Sequence, residues 1–143
     1  GWRLGWSVWP KKLYEHANKL CVNDHSCPNS ISQYAGIEAL KGPKNEVENI
    51  KKEFQKRKEF IYFELNKLNN MTCFKPGGAF YAFPNVSKSG LNGQSFSDIA
   101  LEEKGVALVP GKSFGETAEN FIRLSYANSM ENLEEAIYRL SFI

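Results

Sequence analysis

The sequence predicts an α+β domain over residues 43–143, in which a few short strands are covered by helices. Two observations carry this prediction. A helical repeat of apolar residues begins at Asn45, and from Met71 the pattern changes to short apolar runs separated by glycine and proline. A break in composition at residues 41–43 separates this domain from residues 1–42, which do not look self-sufficient.

Composition and charge describe an ordinary globular chain. The 143 residues are 42% hydrophobic, enough for a core, and the size fits one domain of about 100–150 residues. The net charge of +2 carries no electrostatic signature of nucleic-acid or acidic-membrane binding, so we expect neither partner. No apolar run approaches the ~20 residues that cross a bilayer and no signal peptide is recognisable.

The cysteines and histidines exclude several site classes. Three cysteines without CxxC spacing argue against a disulfide framework or a zinc ribbon and are compatible with a reducing cytoplasm. Two histidines are too few for a metal cage without carboxylate help, so no metal site is predicted. The motifs HExxH, GxSxG and GxxxxGK[ST] are absent.

The first ten residues alternate with a period of two, which is typical of a strand ending at Pro10. Both faces of this strand carry aromatic side chains, so it needs neighbouring strands on both sides. We therefore expect chain upstream of Gly1.

Two helices are predicted next. Residues 11–20 read as a short helix, and a polar loop over residues 23–29 leads into the second. Ser30 and Gln33 have capping-box spacing, which starts the second helix at Ser30. Gly42, followed by proline, predicts a left-handed stop after Leu40.

Three further helices are predicted in residues 43–143. Asn45 and Glu48 form a second capping box at the start of a long amphipathic helix. Residues 95–104 form the next helix, which Gly105 ends. Ser129 caps the last helix.

Strands are predicted between these helices. Residues 72–74 and 79–84 flank a turn over residues 75–78 and form a pair. Residues 106–109 and 121–127 are the other two strands.

Arg123 is the strongest candidate for a binding residue. It occupies the centre of the strand 121–127, and alternation directs it away from the core-facing side chains of Ile122, Leu124 and Tyr126. A guanidinium fixed there suits a carboxylate or a phosphate. On spacing alone, a plain surface ion pair is the more common outcome.

Arg3 and the segment 109–115 are the other candidates for an anion site. Arg3 lies in an otherwise apolar segment, so it needs either an anion to bind or an acidic partner elsewhere. Residues 109–115 resemble a phosphate loop only superficially, because the Walker spacing is missing and no helix pattern follows.

Taken together, the segments resemble the C-terminal part of a class I/II, aspartate-aminotransferase-like enzyme that depends on pyridoxal 5'-phosphate (PLP). The resemblance covers essentially the whole chain, and it rests on five motifs in the family's order. They are residues 1–6 (GWRLGW), 28–40 (PNSISQYAGIEAL), 76–84 (PGGAFYAFP), 105–115 (GVALVPGKSFG) and 121–127 (FIRLSYA).

The resemblance implies a fold and an assignment of domains. The fold is the α/β PLP-transferase fold, fold type I. Residues 1–42 would be the last strand and helices of the large PLP-binding domain. Residues 43–143 would be the small C-terminal domain, beginning with a long connecting helix.

The resemblance also implies site residues. Arg3 falls where the family's arginine contacts the cofactor phosphate, and Arg123 falls where the family's arginine binds the substrate α-carboxylate. Phe80 would line the substrate pocket. Residues 24–28 would approach the active site of the neighbouring subunit, since these enzymes are typically homodimers with shared sites.

One part of the family's machinery is expected outside this sequence. The Schiff-base lysine lies roughly eight residues before the Arg3 position in the family, and therefore upstream of Gly1. Lys11 and Lys12 follow the Arg3 position and do not replace it. No catalytic residue is therefore predicted within the chain, which we expect to be inactive alone.

Three function classes remain. The first is a cytoplasmic transaminase that moves an amino group between an amino acid and a 2-oxo acid, with a lean towards aspartate. The second is a C–S lyase of the same fold, and the third a non-catalytic aminotransferase-like sensor domain of a regulator. A free-standing interaction domain is disfavoured by the orphan first strand.

Overall fold

The computed structural model describes residues 2–143. The chain divides into two compact units, Gly1–Glu46 and Val47–Ile143, and each is described by itself. The predicted assignment of residues 1–42 and 43–143 to the two domains of a larger enzyme stays a prediction.

The first unit is helical. A short 3-10 turn at Lys11–Leu13 continues into α1 (Tyr14–His25), and α2 spans Ser30–Lys41. Helix α1 extends beyond the predicted end at residue 20 into the predicted loop. Within this extension the Asn23 side chain donates a hydrogen bond to the Lys19 carbonyl, 2.7 Å away, so a residue that favours loops is bound to the helix itself.

The predicted strand at the start of the chain is wrong. Residues 2–10 form neither helix nor strand, because none of the described residues pairs with them. The backbone of Arg3 also takes a left-handed conformation, with φ of 59°, which breaks an extended run. Four large apolar side chains of this segment are strongly exposed, namely Trp2, Trp6, Val8 and Trp9.

The two ends of α2 differ in detail from the prediction. Asn29, and not Ser30, is the N-cap, because the Asn29 side chain accepts a hydrogen bond from the Ser32 amide at 3.2 Å. The helix ends at Lys41, one residue beyond the prediction. Gly42 is extended rather than left-handed, with φ of −69°, so the predicted left-handed stop is wrong. A Cβ at Gly42 would lie 2.8 Å from the Glu38 carbonyl oxygen, which explains the glycine.

The second unit has a small antiparallel sheet. The strands are β1 (Tyr81–Ala82), β2 (Val109–Pro110) and β3 (Ile122–Ser125), in the order β1-β3-β2. Single bridges join Asn85 to Thr72 and to Phe121. The predicted pairing of residues 72–74 with 79–84 is wrong, because Thr72 makes one bridge only, to a residue beyond that range, and Tyr81–Ala82 pair with β3 instead. The predicted strand 106–109 is regular only at Val109.

The helices of this unit are α3 (Asn45–Lys67), α4 (Gly93–Glu102) and α5 (Met130–Leu140). Helix α4 starts two residues before the prediction, because Asn92 accepts a hydrogen bond from the Ser95 amide at 2.9 Å. Gly105 is left-handed with φ of 65°, which confirms the predicted stop. Ser129 caps α5 as predicted.

The core lies within the second unit, where α3, α4 and α5 bury apolar side chains against the sheet. Its fully buried members include Ile61, Leu65, Phe96, Ile122, Tyr126 and Leu140. Each element supplies the residues that its period directs inward, as expected for an α+β layer. None of the helices formed by residues 2–143 has the length and hydrophobicity needed to span a bilayer.

Candidate functional site

Arg123 lies in the central strand β3, on the face opposite the core. Its neighbours Ile122 and Leu124 are 0% and 4% exposed, while Arg123 is half-buried. The alternation predicted for residues 121–127 is therefore confirmed, and it fixes the side of the sheet on which the guanidinium lies.

Two aromatic rings lie against the guanidinium. The carbon Cζ of Arg123 is 4.5 Å from the centroid of the Tyr81 ring and 4.8 Å from that of Phe114. Both distances are within the range of a cation–π interaction. The rings reach the guanidinium from opposite flanks of β3, because Tyr81 belongs to β1 and Phe114 follows β2.

The strand register brings these residues together. Tyr81 pairs with Ser125 across the β1–β3 ladder, so Tyr81 and Arg123 are diagonal neighbours on one face. Across the other ladder Val109 pairs with Arg123. The chain then turns through a 3-10 segment, Gly111–Phe114, which returns the Phe114 ring to Arg123.

A second layer of aromatic contacts supports Phe114. The ring of Phe83 is stacked on Phe121, with centroids 5.2 Å apart, and meets Phe114 edge-on at 6.0 Å. Such pairs contribute about 0.5–1.5 kcal/mol each beyond the area they bury. The exposed face of the sheet is thus a set of aromatic rings around one cation.

Arg123 has no acidic partner within the described part of the chain. Its side chain makes no ion pair and no hydrogen bond with residues 2–143, unlike Arg57 and Arg139, which pair with Glu53 and Glu135. The guanidinium carbon lies over two aromatic rings, and such contacts occupy none of its N–H groups, which stay available for an external acceptor. The arrangement suits a planar anion such as a carboxylate.

Phe80 lies beside this cluster and is 40% exposed. Its ring is 4.5 Å from that of Tyr81 and 6.1 Å from that of Phe54. The main chain here is held by Tyr126, whose amide donates to the Phe80 carbonyl at 2.9 Å and whose hydroxyl donates to the Ala79 carbonyl at 3.1 Å. Burial raises the pKa of Tyr126, so its hydroxyl stays protonated and remains a donor.

Arg3 belongs to the first unit, and its side chain is exposed. It makes no ion pair or side-chain hydrogen bond with any other described residue, so its guanidinium has donors available for a phosphate. The segment 24–28, predicted to face a neighbouring subunit, begins with the last two residues of α1. There Asp24 and His25 form an exposed pair at 2.8 Å.

Sequence reasoning missed Tyr81 and Phe114 as partners of Arg123. Both residues belong to quoted motifs, but their proximity depends on strand register, which the motifs do not encode. The same reasoning predicted no metal site. In residues 2–143, no group of three or more His, Cys, Asp and Glu side chains has the geometry of one.

Comparison with known proteins identifies the family of this chain. The family model for aminotransferase class I and II matches residues 1–140. The chain belongs to the class I and II aminotransferases. This confirms the resemblance drawn from the five motifs.

Curated members of the family match almost the whole chain. Aspartate aminotransferase of Geobacillus stearothermophilus is 41% identical over 145 residues, and that of Pyrococcus abyssi is 39% identical over 142. Each match covers 98% of this chain and 36% of the relative. The chain therefore spans about a third of the length of these curated aminotransferases.

Solved structures of aminotransferases superpose on this chain. The aromatic aminotransferase from Pyrococcus horikoshii OT3 superposes with a TM-score of 0.88 at 38% identity, covering 99% of this chain and 38% of that one. The aspartate aminotransferase from Rhizobium meliloti gives 0.85 at 34% identity, covering 99% and 37%. The fold is that of fold-type I aminotransferases, which confirms the predicted fold class.

Proposed function

We propose that this chain is the C-terminal part of an amino-acid transaminase that uses PLP, and that Arg123 binds the α-carboxylate of its substrates. The observation that carries the proposal is the half-buried Arg123 guanidinium, which has no acidic partner in residues 2–143 and lies within cation–π distance of two rings. Amino acids and 2-oxo acids share one carboxylate, so a single fixed guanidinium serves both halves of the exchange.

The remaining roles follow from position. Phe80, at the edge of the same cluster, would line the substrate pocket. When bound, PLP supplies an electron sink for the bond changes at the substrate α-carbon. Arg3 would hold the cofactor phosphate, and its exposed guanidinium fits that anion. The lysine that moves the proton is assigned to a part of the enzyme outside residues 1–143.

The domain assignment is part of the proposal. Residues 1–42 would belong to the large domain. This accounts for the exposed tryptophans, and for the finding that none of the apolar side chains in residues 2–42 is buried. Residues 43–143 would be the small domain, with its own core. We further propose a cytoplasmic homodimer, with residues 24–28 near the partner's site. The 143-residue chain alone is expected to transfer no amino group.

Aspartate is the substrate we favour. Several of the similar proteins are named aspartate aminotransferases, and this supports the lean. Segment 24–28 contains no arginine, so a second carboxylate would need a cation from elsewhere in the enzyme. The relatives' names also favour a transaminase over a C–S lyase or a sensor domain.

The test is substitution of Arg123 in the full-length enzyme that contains this sequence. In Arg123→Lys the paired N–H donors are lost, and a charge-assisted hydrogen bond contributes about 1.5–3 kcal/mol. We expect kcat/KM for aspartate with a 2-oxo acid to fall about 10- to 150-fold.

The matched control is Arg139→Lys. Arg139 is an arginine of the same unit that pairs with Glu135 on the α5 surface, so this change should leave kcat/KM within about twofold. Equal losses in the two variants would contradict the role of Arg123. An intact enzyme without any transaminase activity would contradict the proposed function as a whole.

A further inference from the structure

We infer that Tyr81 and Phe114 are positioning residues, which hold the Arg123 guanidinium in the orientation that receives the α-carboxylate. This inference rests on the proposed function and goes beyond the assignment of Arg123 itself. Tyr81, Phe114 and the Arg123 guanidinium that both rings contact form what we call the clamp.

The guanidinium of Arg123 lies within cation–π distance of both rings. The guanidinium carbon is 4.5 Å from the Tyr81 ring centroid and 4.8 Å from that of Phe114, and the rings come from β1 and from the 3-10 segment that follows β2. A cation–π contact is made with the ring and not with a hydrogen-bond acceptor, and the Arg123 side chain makes no hydrogen bond with residues 2–143. The clamp therefore restricts the direction of the Arg123 guanidinium without occupying its N–H donors.

Each ring is itself fixed by neighbours. Tyr81 lies in β1 and packs against Phe80, with centroids 4.5 Å apart. Phe114 is met edge-on by Phe83 at 6.0 Å. A long arginine side chain is flexible, and rotamer freedom that is lost on binding weakens affinity. Because the rings restrict Arg123 beforehand, less freedom remains to be lost when the carboxylate arrives.

No described residue orients the Arg123 side chain through an ion pair or a hydrogen bond. The other arginines of the unit, Arg57 and Arg139, are oriented by carboxylates at 3.0 and 2.7 Å. A carboxylate beside Arg123 would compete with the substrate for the same N–H groups. Aromatic rings orient the cation without that competition, which suits a residue that must bind an anion and release it.

The experiment compares ring-removing with ring-retaining variants of the full-length enzyme. Tyr81→Leu and Phe114→Leu should each raise KM for the amino acid about 5- to 30-fold, with kcat changed less than about threefold. Tyr81→Phe and Phe114→Tyr keep a ring over the guanidinium and should restore KM to within about twofold of the wild type. Unfolding curves of all four variants confirm that each is folded.

Two amino acids with different side chains separate positioning from pocket lining. The clamp acts on the α-carboxylate, which all amino acids share, so the increase in KM should be the same factor for alanine and for aspartate. A factor that depends on the amino-acid side chain would overturn the inference, because the rings would then be lining the side-chain pocket. Leucine variants that match the wild type would overturn it as well.

A double-mutant cycle tests whether the rings act through Arg123. In an Arg123→Gln background no cation remains to be oriented, so Tyr81→Leu should change KM by less than about twofold. An undiminished effect of Tyr81→Leu in that background would overturn the inference.

Failure of the proposed function gives a different result. If the wild-type enzyme transfers no amino group, that function is wrong, and the clamp is judged by calorimetric titration with a 2-oxo acid. Binding should then be lost in Arg123→Gln and weakened about 5- to 30-fold in the leucine variants. Binding that is indifferent to the two rings would overturn the clamp independently.

Discussion

Gly111 is the position where a single added methyl group should damage the sheet that carries Arg123. A Cβ built on Gly111 would lie 2.6 Å from the carbonyl oxygen and 2.8 Å from the Cβ of Phe121, and it would also meet the Ala118 carbonyl oxygen. Two of these three atoms belong to the backbone, so they cannot move aside as a flexible side chain would. Gly111→Ala must therefore displace main chain at the start of β3.

The size of the effect follows from two contributions. The Gly111 amide donates to the Phe121 carbonyl at 2.7 Å, and losing this hydrogen bond costs about 0.5–1.5 kcal/mol. Forcing an extra methyl group into a packed site costs about 1–3 kcal/mol. We expect Gly111→Ala to lower the free energy of unfolding of the second unit by about 1.5–4.5 kcal/mol.

Urea unfolding of the 143-residue chain measures this effect. Far-UV circular dichroism follows the helices of both units, and the substitution should shift only the part of the transition that belongs to the second unit. A loss of this size lowers the urea midpoint of the circular dichroism transition by about 1–2 M. Gly77→Ala is the matched control, because a Cβ there meets nothing within 4 Å. If Gly111→Ala and Gly77→Ala have the same midpoint, the steric reasoning is refuted.

Two further outcomes are expected. Ser129→Ala removes the acceptor of the Asn132 amide, 3.2 Å away, and should lower the free energy of unfolding by about 1 kcal/mol in the same urea assay. Ser129→Asp keeps a cap, so a loss as large as that of the alanine variant would contradict the capping role. A thiol reagent at neutral pH should label the exposed Cys21 and Cys27 in the native chain and Cys73 only after unfolding. Burial raises the pKa of Cys73 and lowers its thiolate fraction, and mass spectrometry that found all three labelled at one rate would contradict this.

The elements that sequence predicts well are those fixed by nearby residues. The Ser129 cap, the Gly105 stop and the alternation through β3 all depend on a few neighbouring positions. The caps Asn29 and Asn92 were missed because an asparagine and a serine lie close together at each helix start, and either satisfies the amide groups. Nearby residues therefore predict that a helix starts at each of these places, but they do not determine which residue is the N-cap.

Pairing between distant segments is where local reasoning fails. The alternation of residues 2–8 is as regular as that of β3, yet only β3 is a strand. The difference is that β3 has a partner on each side, whereas no described residue pairs with residues 2–8. A strand forms only where a second segment pairs with it, because its amide and carbonyl groups need acceptors and donors from outside the strand. Periodicity reports which faces are apolar and says nothing about where the partners are.

The candidate site depends both on the local pattern of its own strand and on pairing with distant segments. The side of the sheet occupied by Arg123 follows from its own strand, because Ile122 and Leu124 must be buried. The clamp depends on register, since a slip of one residue in β1 would turn Tyr81 towards the core and remove one ring. Burial of Ala82 opposes that slip, because Ala82 pairs with Leu124 in the core ladder. The core therefore sets both the stability of the sheet and the orientation of the cation, so core substitutions that shift β1 against β3 should weaken carboxylate binding without contacting the ligand.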